Sequence, residues 1–146
     1  MGKIMFRYAD RKLNLTQKTH IRLFIETLFR KEKRQLAGIS YVFCSDEYLL
    51  KINQQFLQHD YYTDIITFGL SDANAPVEAE IYISVDRVKD NAVQLGTTFR
   101  EEMLRVIFHG ALHLCGYRDK KSAETMLMRK KETHYLRQFS KSITAL

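Results

Sequence analysis

The sequence predicts an α+β fold: a small mixed β-sheet of roughly three to four strands packed with about five helices. Two observations lead there. Stretches with apolar residues at helical spacing alternate with short β-branched and aromatic runs, and no internal repeat interrupts the alternation. With 146 residues, 45% of them hydrophobic, the chain suits one domain, residues 1–146, around one core.

The elements follow in order. Lys3–Tyr8 reads as a short strand. From Thr16, taken as the N-cap, Ile21, Phe24, Ile25, Leu28 and Phe29 recur on one helical face, and Gly38 closes that segment. Ile39–Cys44 has the β-branched and aromatic content of a strand. Ser45 caps a second helix on which Tyr48, Leu49, Ile52 and Phe56 share a face. Asp64–Phe68 reads as a strand, Ser71–Pro76 as a polar loop, and Glu80–Ser84 as an alternating strand that pairs with Asp64–Phe68. Asp86–Leu95 is helical and stops at Gly96. Thr97 or Thr98 caps the next helix, which has Glu101 and Glu102 in its first turn and Met103, Val106, Ile107, Ala111 and Leu114 on its apolar side. A last helix covers about Lys121–Phe139.

Composition excludes several classes. Lys and Arg number 23 against 17 Asp and Glu, for a net charge of +6. A single Pro and 6 Gly leave no room for a collagen-like or long disordered segment. No stretch approaches the roughly 20 apolar residues of a membrane-spanning helix. Lys3, Arg7, Asp10, Arg11 and Lys12 interrupt any apolar signal-peptide core. The 2 cysteines, Cys44 and Cys115, form no disulfide framework. The chain therefore reads as a cytoplasmic protein with no membrane partner. Its positive charge gathers at Arg30, Lys31, Lys33 and Arg34, where cations complement a helix C-terminus, and at Arg118, Lys120, Lys121, Arg129, Lys130 and Lys131. The base-stacking signatures of common RNA-binding modules are missing, so sequence-specific readout is not indicated.

Chemistry concentrates in His109-Gly110-Ala111-Leu112-His113-Leu114-Cys115-Gly116-Tyr117-Arg118-Asp119. Histidines four apart on a helix project from one face about one turn apart, so both imidazoles reach one divalent ion. With 5 histidines in the chain, the pair is a weak signal alone. The continuation sharpens it. Gly116 stands where a helix ends in a left-handed residue and the chain turns back. Asp119, ten positions after His109, can then supply a third ligand, and three protein ligands leave a position for water, as in catalytic zinc sites. The spacing makes this a metzincin-like metal helix. Metzincins, however, place their glutamate general base directly after the first histidine, where this chain has Gly110.

The segment resembles the signature of the YbeY family of ribosomal-RNA maturation endoribonucleases, His-Gly-x-Leu-His-Leu-x-Gly-Tyr-Asp-His. His109, Gly110, Leu112, His113, Leu114, Gly116 and Tyr117 match it. Upstream, Asn53, Asp60, Thr63, Asp64, Ile65 and Phe68 follow the family's Asn-x-x-Tyr-Arg-x-x-Asp-x-Pro-Thr-Asp-Val-Leu-Ser-Phe pattern, and Glu80–Ser84 its Gly-Asp-Ile-x-Ile-Ser strand. The resemblance implies a single metallo-hydrolase domain acting as a zinc-dependent single-strand endoribonuclease. One Zn2+, or another divalent metal, would be held by His109, His113 and Asp119, which are also the implied catalytic residues. The implied work is processing of ribosomal RNA at the 3′ end of the small-subunit RNA, with ribosome maturation and quality control. Ribosomal RNA and the small subunit are the implied partners.

Two departures stand out. The family's third histidine falls on Asp119, with Arg118 in place of the usual Asp, and carboxylate oxygen is an acceptable zinc ligand. The family's arginine falls on Leu57, which cannot contact phosphate. Arg87, Arg118 and Lys120 are the candidate substrate-binding cations, and Thr63 and Asp64 either line the cleft or cap a turn. Two other readings are a metal-dependent peptidase or amide hydrolase, which the metzincin spacing favours, and a noncatalytic ribosome-assembly factor whose metal is structural. Cys115 lies two positions after His113, on a different helix face, and reads as a buried apolar thiol; Cys44 reads as core. His59 reads as a loop residue outside the site, and His20 and His134 as solvated residues on amphipathic helices.

Overall fold

The computed structural model describes residues 2–144. In chain order the elements are β1 (Ile4–Tyr8), α1 (Lys18–Lys31), β2 (Leu36–Cys44), α2 (Asp46–Leu57), β3 (Ile65–Gly69), β4 (Val77–Ser84), α3 (Val85–Leu95), α4 (Phe99–Leu114) and α5 (Ser122–Thr144). The sheet runs β1-β2-β4-β3, with β1 and β4 parallel to β2 and β3 antiparallel to β4. The α+β fold with a mixed sheet of four strands and five helices is the one the residue pattern predicts. Ile65 lies opposite Ile83 and Phe68 opposite Glu80, which is the pairing expected of these two strands.

Strand alternation sorts the side chains onto two faces. Ile39, Tyr41 and Phe43 of β2 and Val77, Ala79, Ile81 and Ile83 of β4 enter the main core with the apolar stripes of α1, α3, α4 and α5. Cys44, Ile66, Phe68 and Tyr82 face the other way and pack with Leu49 and Ile52 of α2. Cys44 is thus core, as expected, and its thiol donates to the Ile83 carbonyl at 3.5 Å.

Helix ends decide several details. Ser45, Ser84 and Thr98 each accept from the backbone N–H three residues on, so Thr98 rather than Thr97 caps α4. Thr16 does not cap α1. That helix starts at Lys18, after Gln17 in a left-handed conformation (φ 62°), and the Thr16 hydroxyl and carbonyl instead accept from the Arg100 guanidinium, both at 3.1 Å. Gly38 does not close α1 either. The helix ends at Lys31, and Lys33 (φ 59°) turns the chain while the Arg34 N–H bonds to the Phe29 carbonyl at 2.9 Å. Gly38 lies inside β2 at a register shift, where a Cβ would meet the Lys3 carbonyl at 3.4 Å. The last helix runs past Phe139 to Thr144. His20 is half-buried rather than fully solvated: its Nε2 lies 2.8 Å from the Ser142 hydroxyl and its ring packs on Phe139. His134 is exposed as expected.

A carboxylate network ties the loop after β1 to the starts of α2 and α3. Asp10 accepts from the Ser45 N–H at 2.7 Å and its hydroxyl at 2.5 Å. Asp46 accepts from the Ser84 hydroxyl and from Arg87, both at 2.7 Å. Asp86 accepts from the Asp46 N–H and from Arg11, both at 3.0 Å.

Helix α4 is buried on nearly every side, and Gly110 lies against the sheet. A Cβ there would stand 3.0 Å from the terminal methyls of both Ile65 and Ile81. Position 110 therefore faces the apolar side of β3 and β4. Gly110→Glu should cost about 3–5 kcal/mol, because it buries an unpaired carboxylate. Thermal unfolding followed by circular dichroism should show a midpoint lower by roughly 10 °C or more. An unchanged midpoint would mean that the residue does not face the sheet.

Candidate functional site

Helix α4 delivers His109 and His113 one turn apart, and a Schellman ending sends the chain back. The Gly116 N–H bonds to the His113 carbonyl at 3.0 Å and the Tyr117 N–H to the Leu112 carbonyl at 3.1 Å, with Gly116 at φ 111°. The turn brings Asp119 Oδ2 to 3.8 Å from His109 Nε2. Both imidazoles have their other nitrogen engaged. His109 Nδ1 donates to Glu132 Oε2 at 2.6 Å, and His113 Nδ1 donates to the Tyr117 carbonyl at 3.1 Å. Both partners are acceptors, so in each neutral ring Nδ1 carries the proton and Nε2 keeps its lone pair for a ligand. Histidine ligands of metals are held in this way.

His109 and Asp119 line a cavity of about 220 Å³ together with Asp64, Glu102, Arg105, Arg129 and Glu132. Glu132 is buried, and its second oxygen accepts from Arg105 at 3.1 Å, so α4 and α5 share a chain of Arg105, Glu132 and His109. Burial pulls the His109 imidazole down, but the Glu132 hydrogen bond and charge, with Asp119 and Asp64, hold it above its ordinary value. Burial pushes the Asp64 carboxyl up against the pull of His109, and pushes the Glu102 carboxyl up as well. Four carboxyls thus face two guanidiniums in the cavity wall.

Of the remaining sequence candidates, only Asp64 lines this cavity. His113 stands at the exposed end of the motif, outside the cavity lining. Asp64 lines the cavity and accepts from the Asn91 amide at 3.3 Å, whereas the Thr63 hydroxyl turns to the Ile65 carbonyl at 3.4 Å. Arg87 is held by Asp46 and Asp90 and lies over the Tyr62 ring, away from the cavity lining. Arg118 and Lys120 are exposed on the returning loop. Leu57 is exposed at the end of α2, and His59 pairs with the Tyr61 hydroxyl at 2.9 Å. Cys115 is half-buried against the core, and burial pushes its thiol up to about 12. Among the described residues, no three His, Cys, Asp or Glu side chains are already gathered at metal-binding distance.

Glu102, Arg105, Arg129 and Glu132 are site residues that the motif alone does not reveal. Glu132 had a signal of its own. It shares the buried stripe of α5 with Met128, Tyr135 and Phe139, where an unpaired carboxylate would be costly. Glu32, at the end of α1, holds the returning loop in place. It accepts from the Tyr117 hydroxyl at 2.7 Å, from Lys131 at 3.2 Å and from the Tyr135 hydroxyl.

Comparison with known proteins adds the following. A family model described as Endoribonuclease YbeY matches residues 4–140. An endoribonuclease YbeY from Cytophaga hutchinsonii is 49% identical over 129 residues, spanning 88% of this chain and 90% of its own. One from Christiangramia forsetii is 44% identical over 131 residues, 90% of each chain. The solution structure of a Thermotoga maritima protein matches with a TM-score of 0.63 at 26% identity, covering 97% of this chain and 93% of its own.

The Glu32 contacts give an acid-sensitive stability. Burial would raise this carboxyl, but the Tyr135 and Tyr117 hydroxyls and Lys131 outweigh it and hold the group below its ordinary range. A folded-state pKa below the unfolded one stabilises at pH values above the unfolded pKa, and the gain is lost as pH falls through the folded value. Glu32→Gln should therefore cost about 1–3 kcal/mol at pH 7. In urea titrations, that difference from wild type should shrink as pH is lowered through the carboxylate range. A difference independent of pH would remove the charge from the account.

Proposed function

The chain belongs to the endoribonuclease YbeY family, and from that premise we propose that it is a metal-dependent endoribonuclease cutting single-stranded RNA. Its proposed substrate is ribosomal RNA, at the 3′ end of the small-subunit RNA, and its proposed place is the cytoplasm. No described helix is long and apolar enough to cross a membrane. The proposed metal ligands are His109, His113 and Asp119, with zinc as the ion. One observation carries this reading: Nδ1 of each imidazole is taken up by an acceptor, which leaves Nε2 of the neutral ring for a ligand, and Asp119 lies 3.8 Å from Nε2 of His109. The donor set thus fits zinc in type and number.

A bound divalent ion would supply a water of lowered pKa and positive charge beside a phosphoryl oxygen. The chain's own residues do the rest. Glu132 orients His109, and Arg105 holds Glu132. The cavity carboxyls repel an anionic strand, so RNA enters only where cations offset them. Arg129 is the cavity-lining cation with no ion-pair partner among the described residues, and it takes the part that Leu57 cannot play. Arg118 and Lys120 on the returning loop would hold the backbone by phosphate contacts. Gly110 faces the sheet, so the carboxylate base of a metzincin peptidase has no counterpart.

Three measurements test the reading. Wild type should cleave a model single-stranded RNA, stop when chelator strips the metal and resume on zinc addition. His109→Ala or His113→Ala should abolish stoichiometric zinc binding, whereas Cys115→Ser should leave it unchanged. Zinc retained by both histidine variants would overturn the ligand assignment. RNA binding without metal-dependent cleavage would select a noncatalytic assembly factor. Glu132→Gln should weaken zinc about 10–100-fold in competition with a chelating dye.

Asp119→His offers a separate check. Three neutral imidazoles leave the ion its full charge, which stabilises hydroxide better than a set containing one carboxylate. The variant should keep zinc and shift its pH–rate profile for RNA cleavage to lower pH. A shift upward would defeat the ligand role assigned to Asp119.

A further inference from the structure

The outer face of α5 carries a second surface that the motif does not touch. A groove of about 850 Å³ runs along it, bordered by Met126, Arg129, Lys130, His134, Arg137 and Lys141. Its walls are two adjacent helical rows, with Arg129, Arg137 and Lys141 spaced by multiples of four on one and Met126, Lys130 and His134 on the other. Among the described residues, no acidic one lines it. The two acids of α5 are committed elsewhere, Glu124 to the N–H groups of Lys120 and Lys121 and Glu132 to Arg105 and His109. Among the described residues, Arg129, Lys130, Arg137 and Lys141 have no ion-pair partner. Like charges four apart, as at Arg137 and Lys141, destabilise a helix by a few tenths of a kcal/mol, and among the described residues no carboxylate pairs with them.

We propose that this groove is a track for the phosphate backbone of single-stranded RNA beyond the cavity. The inference rests on the endoribonuclease reading and extends it. Two observations point to RNA as the occupant. The charge is complementary to phosphate along the whole groove, and Arg129 and Thr125 line both the groove and the cavity that holds His109 and Asp119. A strand leaving the cavity therefore meets Arg129 first and runs toward Lys141, about 18 Å further along the helix axis. Successive positions on one row are about 6 Å apart, a step that an extended sugar–phosphate backbone can match.

The test compares two triple variants of the full chain by anisotropy of a labelled oligouridine, over a range of salt concentrations. One is Lys130→Gln with Arg137→Gln and Lys141→Gln; the other is Arg30→Gln with Lys33→Gln and Arg34→Gln, which removes the same charge at the end of α1. Each phosphate contact on a single strand contributes about 0.7 to the slope of log affinity against log salt. The α5 variant should therefore lose about 2 from the slope and bind about tenfold or more weakly at low salt, with thermal midpoint unchanged. The α1 variant should keep the wild-type slope. An α5 variant with wild-type slope, or a loss confined to the α1 variant, overturns the track. A wild type that binds no RNA overturns both the track and the endoribonuclease reading. A wild type that binds RNA along α5 but never cleaves it keeps the track and removes only the nuclease.

Discussion

Helix α4 has to satisfy two demands that compete for the same surface. It is the central helix of the main core, buried along Met103, Leu104, Val106, Ile107, Phe108, Ala111 and Leu112, and it also presents two imidazoles one turn apart, one in the cavity wall and one at its exposed end. Close approach at Gly110 resolves the conflict. Without a side chain at that position the helix lies against Ile65 and Ile81, and the Tyr41 hydroxyl donates to the Ile107 carbonyl at 2.9 Å. The rotation set by this contact directs His109 toward the α5 side, where Glu132 and Asp119 meet it.

Two carboxylates that enter the core are held by several partners each. Glu132 uses both oxygens, one for Arg105 and one for His109. Glu32 accepts from two tyrosine hydroxyls and a lysine, and so joins α1 to the returning loop and to α5. Buried carboxylates are tolerable only when so satisfied. The Glu32 set holds the segment after Gly116 through the Tyr117 hydroxyl.

Charge is partitioned over the molecule in a way that suits an anionic polymer. The cavity wall is rich in carboxyls, whereas the returning loop and the outer face of α5 are cationic. Long-range attraction therefore acts at the rim, and a phosphate is drawn inward only where positive charge is placed among the acids. A divalent ion on His109, His113 and Asp119 would be such a charge, and Arg129 stands at the boundary between the two regions.

Much of this was legible in the residues themselves. The strands at Ile39–Cys44 and Glu80–Ser84, the caps at Ser45 and at Thr97 or Thr98, and the histidine pair followed by a turning glycine all depend on local pattern, and local pattern is carried by neighbours in the chain. Where contacts between distant segments decided the outcome, the sequence misled or was silent. Thr16 lost its capping role because Arg100, far along the chain, takes its oxygens, and Gly38 proved to be a strand residue at a register shift beside Lys3. The partnership of His109 with Glu132 joins two helices whose relative placement is set by packing. The track on α5 emerges only once Met128, Glu132, Tyr135 and Phe139 are seen to face inward, leaving the cations outside. Sequence fixes which groups can bond and how they are spaced along an element. Which elements meet is a matter of tertiary packing, because burial and hydrogen-bond satisfaction are shared between segments that no local pattern connects.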